Sequence, residues 1–276
     1  MQPTPAPPEV GLSFSKDGFC AMQGMYQVLH GIKKPESFIF ARGHVAEAIV
    51  QAYWNNMKTK VNGLSLREAG LAEVEKRGKI MEHSELQELN DHFPLILEGA
   101  ERYIEKIDYE LMDMGHWFTL HVRGFTRPIR GQIDVIGERT LPCHAVEDVI
   151  IDIKYQMKPL TETKFKREKK EWQEQLALYA IYYMAANKTN QAPVCENHVI
   201  VAGAEPQVFT TEITEELLYK ALNNQHNLNL RFDAGYWPMA REHRLCDPRW
   251  CHVYALCHEE NFLSAPDLLD LVEVID

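Results

Sequence analysis

Two short apolar segments that each carry a carboxylate constrain the fold more than any other feature of this sequence. Residues 131–137 (GQIDVIG) contain Asp134, and residues 149–155 (VIIDIKY) contain Asp152 and Lys154. Short runs rich in β-branched residues are typical of central strands, where a buried charge is costly unless it is paired or binds a metal. Side chains two apart on a strand share a face, so Asp152 and Lys154 point the same way. If Asp134 lies on the neighbouring strand, two carboxylates and an ammonium converge; the alternative is a buried Asp152–Lys154 ion pair, with Asp134 capping a turn.

Hydrophobic periodicity predicts the elements on either side of these strands. Helices are predicted at residues 40–56, 66–79, 84–114, 171–186 and 215–232, and further strands at 116–122, 197–202 and 207–212. Pro94 is expected to divide or kink the helix over 84–114. The order of helices, three strands, helix, strands and helix predicts an α/β fold with a central sheet flanked by helices.

The length of the chain, 276 residues, suits one large domain. We expect a proline-rich disordered tail at 1–12 and a single domain over 13–276. Its predicted parts are a helical region (13–114), a core (115–212) and a C-terminal helix with a cysteine-rich segment (213–276). No run of eighteen apolar residues is present, which predicts no membrane span. The N-terminus lacks the features of a signal peptide, and a cytoplasmic location is expected (the host cytoplasm if the protein is viral).

The net charge of −11 counts against a protein that coats nucleic acid through bulk electrostatics. It does not exclude an enzyme that binds DNA in a local groove, because a metal-dependent active site itself adds carboxylates. Carboxylates are suitable ligands for Mg²⁺ or Mn²⁺, and such a metal can activate water for phosphodiester hydrolysis. Lys154 would then orient the water or neutralise the scissile phosphate.

A helix that follows the second strand adds two polar residues at helical spacing. Gln175 and Tyr179 are four residues apart and share a face; alone, they could be the polar edge of an ordinary amphipathic helix. The order G-x-x-D, apolar run, D-x-K and Q-x-x-x-Y, however, resembles the RecB-like branch of the PD-(D/E)xK nuclease superfamily. The resemblance implies a restriction-endonuclease-like core and a metal-dependent deoxyribonuclease, with Gln175 and Tyr179 near the active site. It also implies that the main-chain carbonyl of Ile153 contributes to the metal site with Asp134 and Asp152.

The same family has an upstream helix with the pattern G-x-x-x-H or G-x-x-x-E, which supplies another metal ligand. Residues 43–47 (GHVAE) fit this pattern with Glu47 in the ligand position. His44 and Glu47 would be neighbours on a helix, so either could reach the metal. We favour Glu47, because the glycine spacing selects it and a carboxylate suits Mg²⁺; His44 is then a solvent-facing residue of the first turn.

Three cysteines cluster near the C-terminus with the spacing C-x4-C-x5-C, and a fourth lies near the N-terminus; these are Cys246, Cys251, Cys257 and Cys20. Four thiolates can bind a [4Fe–4S] cluster or Zn²⁺, and three unliganded loop cysteines are the alternative. The arrangement resembles the iron–sulfur subgroup of RecB-like nucleases, which includes CRISPR-associated RecB-like exonucleases and AddB nuclease domains. It implies a structural cluster that joins the N- and C-terminal segments. Cys143 and Cys195 are interpreted as ordinary semi-buried thiols.

A basic run precedes the helix that bears Gln175 and is a candidate for contacts with DNA phosphates. Its residues are Lys164, Lys166, Arg167, Lys169 and Lys170. A solvated helix start or loop is an equal alternative. Three arginines before Asp134 could add to the same groove, and three aromatic residues could stack on bases of a single strand or belong to the core. These are Arg123, Arg127 and Arg130, and Tyr155, Phe165 and Trp172.

The function expected from these features is metal-dependent hydrolysis of DNA, with exonuclease action on single-stranded DNA or DNA ends preferred. Repair, recombination or phage and CRISPR DNA processing are the expected settings. The sequence has no G-x-x-x-x-G-K-[ST] loop, so any helicase would be a separate partner. The alternative is a non-catalytic DNA-binding or assembly factor that keeps a nuclease fold.

Overall fold

The computed structural model describes Leu12, residues 37–59 and residues 63–235, apart from the side chains at 167 and 168. The helices are α1 (Phe38–Thr59), α2 (Leu66–Gly78), α3 (His83–Glu105), α4 (Glu162–Glu168), α5 (Lys170–Asn187) and α6 (Glu215–Ala234). The strands are β1 (Glu110–Leu120), β2 (Ile129–Thr140), β3 (Val146–Gln156), β4 (Val194–Val201) and β5 (Gln207–Thr211). Within this part of the chain, no helix has the length and apolar character needed to cross a membrane.

The strands form one mixed sheet in the order β1-β2-β3-β4-β5. Strand β3 is antiparallel to β2 and parallel to β4, and β5 is antiparallel to β4. A parallel neighbour requires a crossover connection, and here the crossover from β3 to β4 contains α4 and α5. The predicted α/β fold, a central mixed sheet flanked by helices, is confirmed. The cysteines expected to join the two ends of the chain lie outside the described residues.

The two faces of the sheet carry different layers of the core. Strand residues Val135, Ile151 and Ile200 contribute to a large apolar cluster with buried side chains of α1, α2 and α3. A smaller cluster contains Leu160, Phe165, Val199, Val201 and Phe209. Because adjacent residues on a strand face opposite ways, Ile200 belongs to the first layer and Val199 and Val201 to the second.

The chain divides into two compact units. One comprises residues 35–118 and 132–221, and every predicted catalytic residue belongs to it. Of the other unit, the structure describes Leu12 and residues 119–131 and 222–235. The predicted single domain and its internal boundaries remain a prediction, except that β1 begins within the region expected to be helical.

The second unit places two residues differently from their sequence-based expectation. Leu12, expected at the end of a disordered tail, is fully buried, and its backbone N–H donates to Pro128 O at 2.8 Å. Arg127 is buried and its Nε lies 3.0 Å from Asp233 Oδ1. Arg127 is therefore a structural ion-pair residue and was wrongly considered for a DNA groove, whereas Arg123 and Arg130 are exposed.

The C-terminal end of the helix predicted over 84–114 is wrong. Helix α3 ends at Glu105, and strand β1 begins at Glu110. The β1 backbone comes close to β2 at Gly137, where an added Cβ would lie 2.7 Å from Glu110 O. Residues 110–114 are in the sheet because tertiary strand pairing overrides a weak local helical preference.

Pro94 does not divide α3, so the division that was one of the two expected effects is absent. The helix runs through Pro94 and buries Leu89, Phe93, Ile96 and Leu97 on the residues around it. Proline in a helix interior costs about 3 kcal/mol, whereas each large side chain that is fully buried contributes about 1.5–3 kcal/mol. Burial of this apolar face outweighs the missing hydrogen bond.

Candidate active site

Strands β2 and β3 bring the two predicted carboxylates together. Val135 pairs with Ile151 in the antiparallel register, so Asp134 and Asp152, one residue further along, are neighbours on the opposite face from that pair. Asp134 Oδ2 accepts a hydrogen bond from the backbone N–H of Ile153 at 2.8 Å. This bond fixes Asp134 against β3, and the expected juxtaposition of the carboxylates follows from the register.

Lys154 lies at the centre of a hydrogen-bonded chain that reaches from β3 to α5. Its Nζ donates to Asp152 Oδ1 at 2.8 Å and to Gln175 Oε1 at 3.2 Å. Gln175 Nε2 in turn donates to the hydroxyl of Tyr179. The i, i+4 spacing on α5 therefore aligns an amide and a phenol with the ammonium, and Asp152, Lys154, Gln175 and Tyr179 form one connected group.

Burial and mutual repulsion make ionisation of the Asp134 and Asp152 carboxyl groups unfavourable. Asp152 is fully buried and Asp134 is half-buried. Burial, followed by the charge of Asp152, raises the pKa of Asp134 well above its usual range. Burial also raises the pKa of Asp152, although Lys154 and Asn197 oppose the shift. Two crowded carboxyl groups with raised pKa values form a site that a cation would stabilise.

Lys154 remains a cation in this setting. Burial lowers its pKa, but the carboxylates of Asp152 and Asp134 outweigh that effect, and the net shift is upward. Burial, followed by the charge of Asp152, raises the pKa of Tyr179 as well. At neutral pH the group thus presents a protonated amine and a neutral phenol.

Glu47 lies on α1, and its charge acts on the same group. Burial is the main cause of the raised pKa values of Asp134 and Asp152, and the negative charge of Glu47 adds a smaller contribution in the same direction. His44 Nδ1 lies 3.9 Å from Glu47 Oε2, and both side chains are half-exposed. The choice of Glu47 over His44 as the first-helix ligand stays a prediction.

The donor set fits a hard divalent cation, although it does not form a ready-made cage. No three His, Cys, Asp or Glu side chains among the described residues are arranged to hold a metal ion together. Mg²⁺ is commonly bound by one or two carboxylates, and water and substrate phosphates complete its shell. Among the described residues, Oδ1 of Asp152 accepts a hydrogen bond from Lys154, and Oδ2 accepts one from Asn197. Because a carboxylate oxygen can accept two, ligand capacity remains.

The basic run folds as α4 and the start of α5. Thr161 caps α4 by accepting from Lys164 N at 3.1 Å, and Lys166 forms an exposed ion pair with Glu162 at 3.1 Å. Lys169 Nζ lies 4.5 Å from the ring centroid of Trp172, and Lys154 Nζ lies 5.8 Å from the same centroid. Trp172 therefore lies between the basic run and Lys154. Lys170 is exposed, and the side chain of Arg167 lies outside the description.

Two of the three aromatic residues proposed for base stacking are core residues. Phe165 is 2% exposed and stacks on Phe209, with ring centroids 4.3 Å apart. Tyr155 is 8% exposed, and the Arg42 guanidinium lies 5.6 Å from its ring centroid. Trp172 is partly exposed, and it also packs against the smaller apolar cluster.

The predicted cluster cysteines, Cys20, Cys246, Cys251 and Cys257, all lie outside the described residues. Of the other two, Cys195 is buried, and burial raises its pKa to about 12, as suits a structural thiol. Cys143 is exposed, so its assignment as a semi-buried thiol is wrong.

Asn197 belongs to the site and was not predicted. It faces Asp152 in the parallel register of β3 and β4, and its Nδ2 donates to Asp152 Oδ2 at 2.7 Å. In the sequence, the only available sign is a buried-strand pattern (VCENHVIV) interrupted by polar residues. That pattern does not specify which strand lies alongside it.

A comparison with solved structures finds a similar fold in a protein from Eubacterium rectale named "Putative exonuclease". The two share 16% sequence identity over 87% of each chain, with a TM-score of 0.51. The structure of SSO0001 matches 75% of this chain and 84% of its own at 12% identity, but its TM-score of 0.30 is too low to bear on the fold. No protein-family model and no curated protein matches the sequence.

Proposed function

We propose that this protein is a metal-dependent nuclease of the PD-(D/E)xK type that hydrolyses phosphodiester bonds in DNA. The observation that carries the proposal is the pairing of half-buried Asp134 with fully buried Asp152, with Lys154 hydrogen-bonded both to Asp152 and to Gln175. A charge-crowded arrangement of this kind destabilises the folded chain unless a ligand compensates for it. A divalent cation would compensate for the carboxylates, and the Lys154 ammonium would then pair with a substrate phosphate.

The cofactor would be Mg²⁺ or Mn²⁺, held by Asp134, Asp152 and Glu47, with the main-chain carbonyl of Ile153 as a further donor. When bound, the cation supplies an activated water and stabilises negative charge at the phosphate. The protein's own contribution is largely Lys154. Because its pKa is raised, it acts as a fixed positive charge that neutralises the phosphate and orients the water. It is not a proton acceptor at neutral pH.

Gln175 and Tyr179 position Lys154. Gln175 accepts from the lysine ammonium and donates to the phenol, so the amide can rotate only if it breaks one of these bonds. Tyr179 is 5% exposed and anchored in the core. The pair thus restricts the direction of the ammonium, which supports transition-state stabilisation by a preorganised charge.

DNA would approach over Trp172 and the basic run, whose Lys169 lies over the same ring as Lys154. Stacking of a base on the exposed part of the Trp172 ring would suit a single strand or a frayed end. Together with the name of the Eubacterium rectale protein, this arrangement supports exonuclease action on single-stranded DNA or DNA ends. A helicase or recombination protein would act as a separate partner and supply such ends.

A cleavage assay on end-labelled single-stranded and double-stranded DNA tests the proposal. Protein with Mn²⁺ is expected to degrade DNA, and Asp152→Asn and Lys154→Met are expected to lose at least about a hundredfold in rate, as when one transition-state donor is removed. Lys106→Met is the matched control, because Lys106 is 63% exposed and pairs with Glu205. Equal activity in all four proteins contradicts the proposal. DNA binding without any cleavage supports the non-catalytic alternative.

We also propose, from the cysteine spacing, that Cys20, Cys246, Cys251 and Cys257 bind a structural [4Fe–4S] cluster, with Zn²⁺ as the alternative. Protein purified without oxygen is expected to be brown and to absorb broadly in the visible range. A colourless preparation that contains one zinc per chain rejects the iron–sulfur assignment and leaves the nuclease proposal standing.

A further inference from the structure

The amide of Asn197 is a buried polar group that local packing does not explain. Asn197 is fully buried in the centre of the sheet, and its neighbours on the same face of β4 are Cys195 and Val199. An apolar residue would fit the same strand without desolvation of an amide, which is unfavourable unless its polar atoms are bonded. Asn197 therefore has a role at the group that it contacts.

That group is the carboxylate of Asp152. Asn197 Nδ2 donates to Asp152 Oδ2 at 2.7 Å, while Lys154 Nζ donates to the other oxygen, Oδ1, at 2.8 Å. Since an ionised carboxylate only accepts hydrogen bonds, the amide must turn its nitrogen towards Asp152. The two donors hold the carboxylate from both sides and fix its rotation.

The other end of the amide is unpaired. Asn197 Oδ1 is buried and has no hydrogen-bond partner among the residues that the structure describes. Its orientation is set by the bond to Asp152, so it cannot turn away to find another donor. A buried acceptor such as Asn197 Oδ1 needs a hydrogen-bond donor. A cation attracted by the neighbouring carboxylates would bring water molecules in its hydration shell, and one of these can donate to Oδ1.

We propose that Asn197 is a positioning residue of the cation site. Its Nδ2 fixes Asp152, and its Oδ1 accepts a hydrogen bond from a water molecule of the bound cation's hydration shell. This inference rests on the proposed metal-dependent function. It adds a residue that lies outside the sequence motifs on which the resemblance to RecB-like nucleases is based. Partners of this kind, which act on a metal through a ligand, typically change metal affinity by about 10–100-fold when they are removed.

Calcium titration of the full chain tests the role without reliance on catalysis. Isothermal titration calorimetry would measure the affinity for Ca²⁺ in the wild type, Asn197→Leu, Asn197→Asp and Thr211→Val. Thr211 is the matched control, because it is buried in the same sheet, its Oγ1 also lacks a partner within the described part of the chain, and no bond joins it to Asp152 in the structure. Asn197→Leu is expected to weaken Ca²⁺ binding at least about tenfold, and Thr211→Val is expected to leave it unchanged.

Asn197→Asp provides a readout that a purely structural role would not produce. It places a further carboxylate beside Asp152, so the variant is expected to unfold at a lower temperature in EDTA and to gain more thermal stability from Ca²⁺ than the wild type. If Asn197→Leu does not fold, this cation-dependent gain still decides the question. Equal gains in Asn197→Asp and the wild type, or Ca²⁺ affinity of Asn197→Leu within twofold of the wild type, overturn the inference.

Failure of this inference is distinguishable from failure of the proposed function. A wild-type protein that binds Ca²⁺ and cleaves DNA with Mn²⁺, alongside an Asn197→Leu variant that does both equally well, rejects only the role of Asn197. A wild-type protein that binds neither cation and does not cleave rejects both.

Discussion

Replacement of Lys154 by methionine is expected to destabilise the metal-free protein. The change keeps the length of the side chain but removes the ammonium from Asp152, which is fully buried and then retains only its bond from Asn197. Breaking a buried ion pair by removing one partner costs about 3–5 kcal/mol. The Lys154 side chain is 21% exposed and one hydrogen bond survives, so we expect the lower end, about 3 kcal/mol.

For a chain of this size, each kcal/mol shifts the melting temperature by about 2–4 °C. Lys154→Met is therefore expected to melt roughly 6–12 °C below the wild type in EDTA at neutral pH, as measured by circular dichroism or calorimetry. The double variant Asp152→Asn/Lys154→Met is expected to recover much of the loss, because no uncompensated buried charge remains. Lys106→Met, which removes an exposed ammonium, is expected to change stability by less than about 1 kcal/mol.

Acid pH provides a second measurement on the same variant. Without Lys154, burial raises the folded-state pKa of Asp152 further above its unfolded value. A carboxyl group with a raised pKa stabilises the folded state fully below its unfolded pKa, and the contribution is lost as the pH rises through the folded value. The defect of Lys154→Met is thus largest at neutral pH and shrinks towards about pH 4. A melting temperature within 2 °C of the wild type at neutral pH, with no pH dependence of the difference, would refute the electrostatic argument.

Three further substitutions test other parts of the structure. Asp134→Asn is expected to raise the melting temperature in EDTA at neutral pH. The rise in melting temperature that the wild type shows as the pH falls is expected to be smaller in this variant. The reason is that burial and the charge of Asp152 raise the pKa of Asp134, so its carboxyl stabilises the fold only when protonated; a lower melting temperature at neutral pH would contradict this. Gly99→Ala places a Cβ in steric conflict with the backbone oxygen of Val201 and is expected to cost about 1–3 kcal/mol in urea unfolding; wild-type stability would show that the helix can shift freely. Phe165→Ala is expected to cost about 3–5 kcal/mol while DNA affinity of the folded protein stays unchanged, and a selective loss of affinity for single strands would restore its role in base stacking.

Local rules predicted most of the candidate site. Alternation along a strand placed Asp152 and Lys154 on one face, and i, i+4 spacing placed Gln175 and Tyr179 together on a helix. These relations depend on neighbours along the chain, so sequence periodicity contains them. The structure then joins the two pairs through a single bond between Lys154 and Gln175.

Features that depend on pairing between distant segments were missed. Asn197 contacts Asp152 because β3 and β4 are parallel and in a particular register, which a long crossover leaves unspecified in the local sequence. Residues 110–114 were assigned to a helix because their apolar spacing continued that of α3, although pairing with β2 places them in the sheet. Pro94 was expected to divide or kink its helix, and α3 instead runs through it with a buried apolar face.

The alignment of β3 with β4 has a consequence for the folding of active molecules. A slip of one residue would exchange the two faces of β3, turning Ile151 and Ile153 towards α5 and sending Asp152 and Lys154 into the apolar layer on the other side. A slip of two residues would keep the faces of β3 but move Asp152 away from Asn197. Under the proposed function, the specific activity of a refolded sample would therefore report the fraction of chains in which β3 and β4 paired in the register described here.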